Sequence, residues 1–227
     1  MTELSDLRHN NQRFDLQRER VHDDPFLQLK KWLQEAIGDD FYQPNAMTLA
    51  TVDAQGQPSA RIVLLKEVSA QGLVFFTNYD SAKGRALAIN PKACASFYWD
   101  RLERQVRVEG RVEKLPEQQS DDYFHSRPRA SQLGAIASPQ SQEISSRWEL
   151  DERFQDVRER HDTDMVLPRP VHWGGYVLIP ERMEFWQGRP SRLHDRLCYV
   201  HQYNDQWRIV RLAPLVHTYG AKRTIRH

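Results

Sequence analysis

The chain has 227 residues, and its 32 Lys and Arg against 31 Asp and Glu give a formal net charge of +1. This length suits one large domain or two small ones and is sufficient to bury a core. The charge balance argues against a general nucleic-acid or membrane-surface binder, and the sequence contains no apolar run long enough to cross a bilayer.

The N-terminal part of the sequence is polar and then becomes helical. Residues 1–23 are charged and lack the apolar run of a signal peptide, so they predict a mobile arm of a cytoplasmic protein. Asp24 can cap a helix that Pro25 begins and that stops at Gly38. Its apolar stripe consists of Phe26, Leu29, Trp32, Leu33 and Ile37.

Short β-branched and aromatic runs then predict strands, at 45–53, 59–68, 73–78, 93–100 and 104–115. Ser81 opens a short helix before Pro91, and residues 116–162 are helical in pieces, the last with a thin stripe of Trp148, Phe154 and Val157. Further strands follow at 174–180, 182–188, 192–203 and 206–214. This pattern predicts a mainly β protein, an antiparallel sheet or barrel with peripheral helices.

Several common catalytic motifs are missing from the sequence. It has no GxGxxG after a strand, no P-loop and no GxSxG elbow, so neither a dinucleotide site nor a serine hydrolase is supported. The histidines form no HExxH motif, and Cys94 and Cys198 make neither a disulfide framework nor a metal-ligand pair. No metal site is expected.

The first two clusters of polar residues are Arg61–Lys66 and Thr77–Lys83. Strand alternation puts Arg61 and Lys66 on opposite faces, so one ligand could meet both only at an edge or a bend. Taken alone, the first run is better explained as the two solvated ends of an amphipathic strand. In the second, the N–H groups at a helix start could receive a phosphate, although Ser81 as an ordinary N-cap is as good an account.

The other two clusters lie later in the chain. Tyr123, Arg127 and Ser131 are spaced by four and would form a phosphate clamp on one helix face, although Pro128 argues against an unbroken helix. On a strand, Arg192, His194 and Arg196 would all point to one side. Three such groups repel one another unless an anion lies between them, which favours a ligand-binding face.

Taken together, these clusters resemble the pyridoxine/pyridoxamine 5′-phosphate oxidase family of FMN enzymes. The matching runs extend in order from about Asp24 to Pro214: NAMTLATVD, RIVLLK, LERQVRVEG, YFHSRPRASQLGA, SPQSQEIS, HWGGY, EFWQGRPSRLHDR and RLAP. The resemblance implies an FMN-binding split β-barrel that forms a homodimer with FMN at the subunit interface. It also implies a single oxidase domain over residues 24–214, preceded by the arm 1–23 and followed by an extension, 215–227.

The resemblance further implies roles for individual residues. The flavin would contact Arg61, Lys66, Phe76, Thr77, Lys83, Gln105, Gln140, Ser141, Trp186 and Arg196. The substrate phosphate would contact Lys66, Tyr123, Arg127 and Ser131, and Arg192 and His194 would lie over the pyridine ring as catalytic residues. The enzyme would oxidise pyridoxamine and pyridoxine 5′-phosphates with O2, by hydride transfer from C4′ to FMN.

The sequence departs from the family pattern at Ala82, where a polar residue is frequent, around Leu7–Phe14, which lacks a Tyr, and in its tail after Pro214. The alternatives are a non-catalytic FMN-binding protein, a flavin or deazaflavin reductase on the same barrel, and an RNA-binding barrel. Because the substrate residues are all present and the charge is balanced, the oxidase is favoured over all three.

Overall fold

The structure is a computed structural model that describes residues 14–214. Its helices are α1 Pro25–Gly38, α2 Ala82–Ile89, α3 Glu117–Ser126, α4 Arg129–Ala137 and α5 Arg147–Arg160. Its strands are β1 Ala46–Val52, β2 Pro58–Leu64, β3 Glu67–Val68, β4 Leu73–Asn78, β5 Lys92–Trp99, β6 Arg104–Lys114, β7 Trp173–Gln187, β8 Asp195–His201 and β9 Trp207–Arg211. The predicted mainly β composition with peripheral helices is confirmed over these residues.

The described residues form two compact units, and each unit is discontinuous in sequence. The first unit takes in Tyr98–Arg107 and the described residues of Met1–Pro44 and of Arg182–His227. The second unit consists of Asn45–Phe97 and Val108–Glu181. Because β5, β6 and β7 each run from one unit into the other, the division marks no linker, and the single domain over 24–214 stays a prediction.

Helix α1 of the first unit begins where its capping residues predict. Asp24 Oδ1 accepts a hydrogen bond of 2.7 Å from the N–H of Phe26, and Pro25 is the first helical residue. Trp32 is buried edge-on against Phe185, with 5.2 Å between ring centroids. The apolar stripe was predicted one residue too long, because Ile37, in the last turn, is 63 % exposed.

The first unit also contains β8 and β9, which continue from the second half of β7. β7 pairs with β8 from Arg182↔Val200 to Gln187↔Asp195, and β8 pairs with β9; both pairs are antiparallel. The strand predicted over 192–203 is too long at its start, because a 3₁₀ turn occupies Pro190–Arg192 and Ser191 has a φ of 56°.

The second unit carries the sheet and helices that frame the candidate site. The strand order is β2-β1-β5-β6-β7-β4-β3. The strand predicted over 59–68 is interrupted, because the N–H of Leu65 donates to Asn45 while that of Lys66 donates to Val74. β7, predicted as two strands, is continuous through Pro180.

Helices α3, α4 and α5 of the second unit share a core with the start of β7. This core consists of Phe124, Leu133, Ala137, Val157, Leu167 and Trp173. Phe154 packs against it, as its stripe predicted. Trp148 does not belong to it and is 68 % exposed, because it lies in the first turn of α5.

Gly84 in α2 determines how closely that helix approaches the preceding loop, because a Cβ atom there would overlap the carbonyl oxygen of Tyr79. We expect Gly84→Ala to lower the free energy of unfolding by about 3 kcal/mol, since the clash is with backbone and cannot be relieved by a rotamer change. Urea denaturation of the apoprotein measures this.

The matched control is Gly134→Ala in α4, where a Cβ would meet nothing within 4 Å. This substitution should raise stability by about 0.5–1 kcal/mol, because alanine loses less backbone entropy in a helix. Equal effects of the two substitutions would contradict the close approach at Gly84.

Candidate active site

A cleft of about 560 Å³ in the second unit brings together eight of the residues singled out in the sequence. They are Lys66, Phe76, Thr77, Lys83, Tyr123, Arg127, Ser131 and Gln140. Lys66 comes from the connection between β2 and β3, Phe76 and Thr77 from β4, and Lys83 from α2. The cleft thus combines sequence clusters that are up to about 70 residues apart.

The lining of the cleft is positively charged. Lys66, Lys83 and Arg127 contribute cations, and no described residue of the lining is Asp or Glu. Such a concentration of one sign of charge in a cleft attracts an anionic ligand. Arg recognises phosphate by paired hydrogen bonds, and Lys recognises it as a point charge.

Lys83 is one of these three cations, and its side chain is held by hydrogen bonds to neutral oxygens. Its Nζ donates to Thr77 Oγ1 at 3.2 Å, Ser81 Oγ at 3.3 Å and Gln140 Oε1 at 3.4 Å. The residue is only 8 % exposed, and burial, with the nearby charge of Arg61, lowers the pKa of Lys83. A buried cation whose described hydrogen-bond acceptors are all neutral is suited to a bound phosphate.

Arg61 lies beside the cleft on β2. Its Nη1 donates to the carbonyl oxygen of Leu49 at 3.0 Å and to Thr51 Oγ1 at 2.8 Å, and Nη2 donates to Ser59. Burial lowers the pKa of Arg61. The chain bends between Arg61 and Lys66 where β2 ends, and such a bend is the condition under which both residues can meet one ligand.

Aromatic rings form one wall of the cleft. Phe76 stacks on Tyr123 with ring centroids 3.8 Å apart, and the Trp173 ring is parallel to both within 15°. The guanidinium of Arg127 lies over Trp173 at 4.8 Å, and Lys66 Nζ lies 5.9 Å from the Tyr123 ring. A flat apolar wall bordered by cations is suited to a planar ring that carries an anionic group.

Tyr123, Arg127 and Ser131 all line the cleft although the helix is broken between them. α3 ends at Ser126, and α4 begins at Arg129 after the extended residues Arg127 and Pro128. The break follows from Pro128, which disfavours a helical residue before it. Arg127 Nη1 is buried and has no hydrogen-bond partner among the described residues.

The remaining candidate residues lie elsewhere. Gln105, Trp186, Arg192, His194 and Arg196 belong to the first unit. Gln105 is half-buried on β6. Ser141 follows Gln140 in the second unit, is exposed with a φ of 67° and is not part of the cleft lining.

The predicted face of three cations at Arg192, His194 and Arg196 is wrong in two respects. Only Arg196 lies on β8, because the chain turns at Arg192, whose φ is 62°. Arg196 also has a counter-ion: its Nε and Nη2 donate to the two carboxylate oxygens of Glu184 at 2.7 and 3.0 Å. This pairing raises the pKa of Arg196.

His194 is held against Trp186, with 4.7 Å between ring centroids, and its Nδ1 accepts the backbone N–H of Arg189 at 3.1 Å. Burial and the charge of Arg192 lower the pKa of His194, although Asp195 opposes this. At neutral pH the ring is therefore uncharged, and because Nδ1 is an acceptor, Nε2 carries the proton.

We expect His194 to titrate below its ordinary value of 6.5 in an NMR titration. Asp195→Asn should lower the pKa of His194 further, since it removes the carboxylate that stabilises the imidazolium. A pKa of His194 at or above 6.5 in the unsubstituted protein would contradict this environment.

Residues 14–23 are the described part of the predicted arm, and hydrogen bonds connect them to β8 and β9. Asp195 Oδ2 accepts the N–H of Leu16 at 3.1 Å, Arg211 donates to the Leu16 carbonyl, and Tyr199 donates to that of His22. The mobility of the arm stays a prediction. Most of the stretch Leu7–Phe14 and the extension 215–227 lie outside the described residues.

Sequence reasoning gave no role to two residues that the structure places at these sites. Trp173 lines the cleft within the HWGGY run, and Glu184 opens the EFWQG run. Trp173 could have been singled out because an aromatic residue precedes two glycines. Glu184 had no local signal, because its hydrogen-bond partner Arg196 comes from the next strand, β8.

Comparisons with known proteins relate most of the chain to one family. The family model "Pyridoxamine 5′-phosphate oxidase" matches residues 33–161, and "Pyridoxine 5′-phosphate oxidase C-terminal dimerisation region" matches residues 173–214. A pyridoxine/pyridoxamine 5′-phosphate oxidase of Cupriavidus necator is 54 % identical over 94 % of this chain and its own full length. One from Ralstonia nicotianae is 56 % identical, with the same shares of the two chains covered.

Solved structures agree with these matches. PhzG from Burkholderia lata, in complex with tetrahydrophenazine-1-carboxylic acid, is 31 % identical, with a TM-score of 0.81 over 86 % of this chain and 95 % of its own. A pyridoxamine 5′-phosphate oxidase-related, FMN-binding protein from Nostoc punctiforme is 18 % identical and shares the fold, with a TM-score of 0.67 over 86 % of this chain and 100 % of its own. The predicted split β-barrel, FMN as cofactor and the homodimer are thereby confirmed.

No helix among residues 14–214 is long and apolar enough to cross a membrane.

Proposed function

Because the chain belongs to the pyridoxamine 5′-phosphate oxidase family of FMN-dependent enzymes, we propose that it oxidises pyridoxamine 5′-phosphate and pyridoxine 5′-phosphate to pyridoxal 5′-phosphate. The observation that supports this most directly is the cleft of the second unit, with three cations and no carboxylate among its described lining residues. Both the cofactor and these substrates carry a phosphate. A cytoplasmic location stays a prediction from the sequence.

The flavin phosphate is assigned to the part of the cleft around Lys83. The buried Nζ of Lys83 and the nearby charge of Arg61 stabilise a phosphate dianion there, while Thr77 and Gln140 contribute polar groups. Lys66, Phe76 and Ser141 belong to the same proposed flavin set, which Gln105, Trp186 and Arg196 complete. In a homodimer, FMN would bind where two subunits meet.

The substrate phosphate is assigned to Lys66, Tyr123, Arg127 and Ser131. All four line the cleft, and they supply two cations and two hydroxyl groups. The buried, unpartnered Nη1 of Arg127 favours this assignment, because an unsatisfied donor costs free energy that a phosphate oxygen would recover.

Arg192 and His194 are assigned to the substrate ring and to proton movement at C4′. The neutral imidazole of His194, with its proton on Nε2, can donate a hydrogen bond without adding charge. Trp186 limits the orientation of the His194 ring by packing against it. Holding the two reacting rings in a fixed geometry is the main contribution required of the protein.

When bound, FMN would accept a hydride from C4′ and pass both electrons to O2, so that the alcohol and O2 yield the aldehyde and H2O2. From the amine, the protein releases an imine that water hydrolyses to the aldehyde and NH3. The chain's own residues bind the phosphate and orient the ring.

An aerobic assay of the FMN-loaded protein tests the proposal. Pyridoxamine 5′-phosphate and pyridoxine 5′-phosphate are added separately, and pyridoxal 5′-phosphate and H2O2 are followed together. Equal amounts of the two products are expected. An FMN-bound protein that forms neither product would instead be a non-catalytic flavin-binding protein, and oxidation of tetrahydrophenazine-1-carboxylic acid alone would indicate a different substrate class.

A further inference from the structure

Trp173 is held in place by both its ring and its backbone. The residue is 6 % exposed, and its ring packs edge-on against Phe124 with 5.3 Å between the centroids. Its carbonyl oxygen accepts a hydrogen bond of 2.6 Å from Arg169, which is itself paired with Asp121. The indole ring is therefore a rigid part of the cleft wall.

Arg127 lies on this ring with its backbone held on both sides. Its N–H donates to the carbonyl oxygen of Phe124, and its own carbonyl accepts from Gln132 Nε2 at 2.8 Å. Pro128 keeps Arg127 extended, so that its side chain leaves the chain between α3 and α4. The guanidinium is 4.8 Å from the Trp173 ring centroid.

A guanidinium that rests on an aromatic face keeps its hydrogen-bonding edge free, because its N–H groups lie in its own plane. In Arg127 the free edge includes the buried Nη1, which has no partner among the described residues. Burial also lowers the pKa of Arg127, because it removes water from the charged form. The arrangement is ready for the two oxygens of a phosphate.

We propose that Trp173 is a positioning residue for substrate binding: its indole ring holds the Arg127 guanidinium in the orientation that receives the substrate phosphate. This inference rests on the proposed function, which assigns Arg127 to that phosphate. Trp173 thereby determines the affinity for phosphorylated substrates without taking part in the reaction at C4′.

The test measures binding to the FMN-loaded protein without turnover. The probes are inorganic phosphate and 4-deoxypyridoxine 5′-phosphate, which has no oxygen or nitrogen at C4′ and cannot be oxidised to the aldehyde. Trp173→Leu should weaken both by about 10-fold, in the range of a desolvated cation–π contact. Trp173→Phe should weaken them by about 3-fold, since a smaller ring retains part of the contact.

Two further measurements separate positioning from general packing. Val157→Ala alters the same core without removing either the ring beneath Arg127 or the Phe124 ring that packs on it, and it should leave both affinities within about 2-fold. Trp173→Leu should add no further loss in an Arg127→Ala background, because the two residues act through one contact. In turnover, Trp173→Leu should raise KM and leave kcat unchanged.

The outcomes distinguish this inference from the proposed function. If Arg127→Ala weakens binding but Trp173→Leu does not, the positioning role of Trp173 is overturned and the substrate assignment stands. The same holds if Trp173→Leu lowers the affinity as much in the Arg127→Ala background as it does in the unsubstituted protein. If Arg127→Ala leaves the affinity for 4-deoxypyridoxine 5′-phosphate unchanged, both the assignment of Arg127 and the inference fail. Melting temperatures and FMN content show that each variant is folded and loaded.

Discussion

Replacement of Lys83 by methionine is expected to lower the affinity for FMN by about 100-fold and to leave the apoprotein as stable as before or more stable. The first effect arises because a buried ammonium facing a phosphate dianion makes a charge-assisted contact in a poorly solvated site. The second arises because Lys83 has only neutral oxygens as its described partners, so its burial without an anion costs free energy.

Burial of Lys83 also makes the stability of the apoprotein depend on pH. The pKa of Lys83 is lowered by burial from its ordinary 10.5, so the unfolded chain binds more protons than the folded chain between the two pKa values. Stability therefore rises with pH through this window. In Lys83→Met this rise should be lost.

Flavin fluorescence titration measures the affinity, and urea denaturation of the apoprotein measures the stability. Lys92→Met on β5 is the control, because Lys92 is exposed and is not part of the cleft lining. If Lys83→Met destabilised the apoprotein and bound FMN normally, Lys83 would have a structural role and the phosphate assignment would be wrong.

The parts of the fold that local chemistry determines could be predicted from the sequence. Helix α1 begins at Pro25 because Asp24 caps it, and β4 has the predicted bounds 73–78. The end of β2 could not be predicted, because Leu65 and Lys66 leave the strand for different partners, Asn45 and Val74. Hydrophobic alternation carries no information on which neighbour a backbone group will choose.

The same division applies to the site. The spacing of Tyr123, Arg127 and Ser131 indicated a phosphate clamp, and these side chains line one cleft although the helix that was to align them is broken. The charge at Arg196 could not be assessed from its neighbours in sequence, since its counter-ion comes from β7. Long-range pairing decides whether a cluster of like charges needs a ligand.

Replacement of Glu184 by glutamine is expected to lower the free energy of unfolding by about 3 kcal/mol. Glu184 is 4 % exposed, and both of its oxygens accept hydrogen bonds from Arg196. Arg107 and Arg182 lie at 3.9 and 4.0 Å from the same carboxylate. Glutamine has nearly the same shape, but it removes the negative charge on which three guanidinium groups converge.

A consequence for the flavin follows from the same substitution, because Arg196 is proposed to contact FMN. Without the two-point pairing to Glu184, Arg196 loses the orientation that the carboxylate imposes, and the affinity for FMN should fall together with stability. Glu113→Gln on β6 is the matched control, since its pair with Arg111 is about half-exposed on both sides and should contribute at most about 0.5 kcal/mol. Urea denaturation compares the two variants. If the two substitutions lowered the free energy of unfolding by the same small amount, the charge of Glu184 would not be needed to hold Arg196. The three guanidinium groups around it would then need an anionic ligand to offset their repulsion.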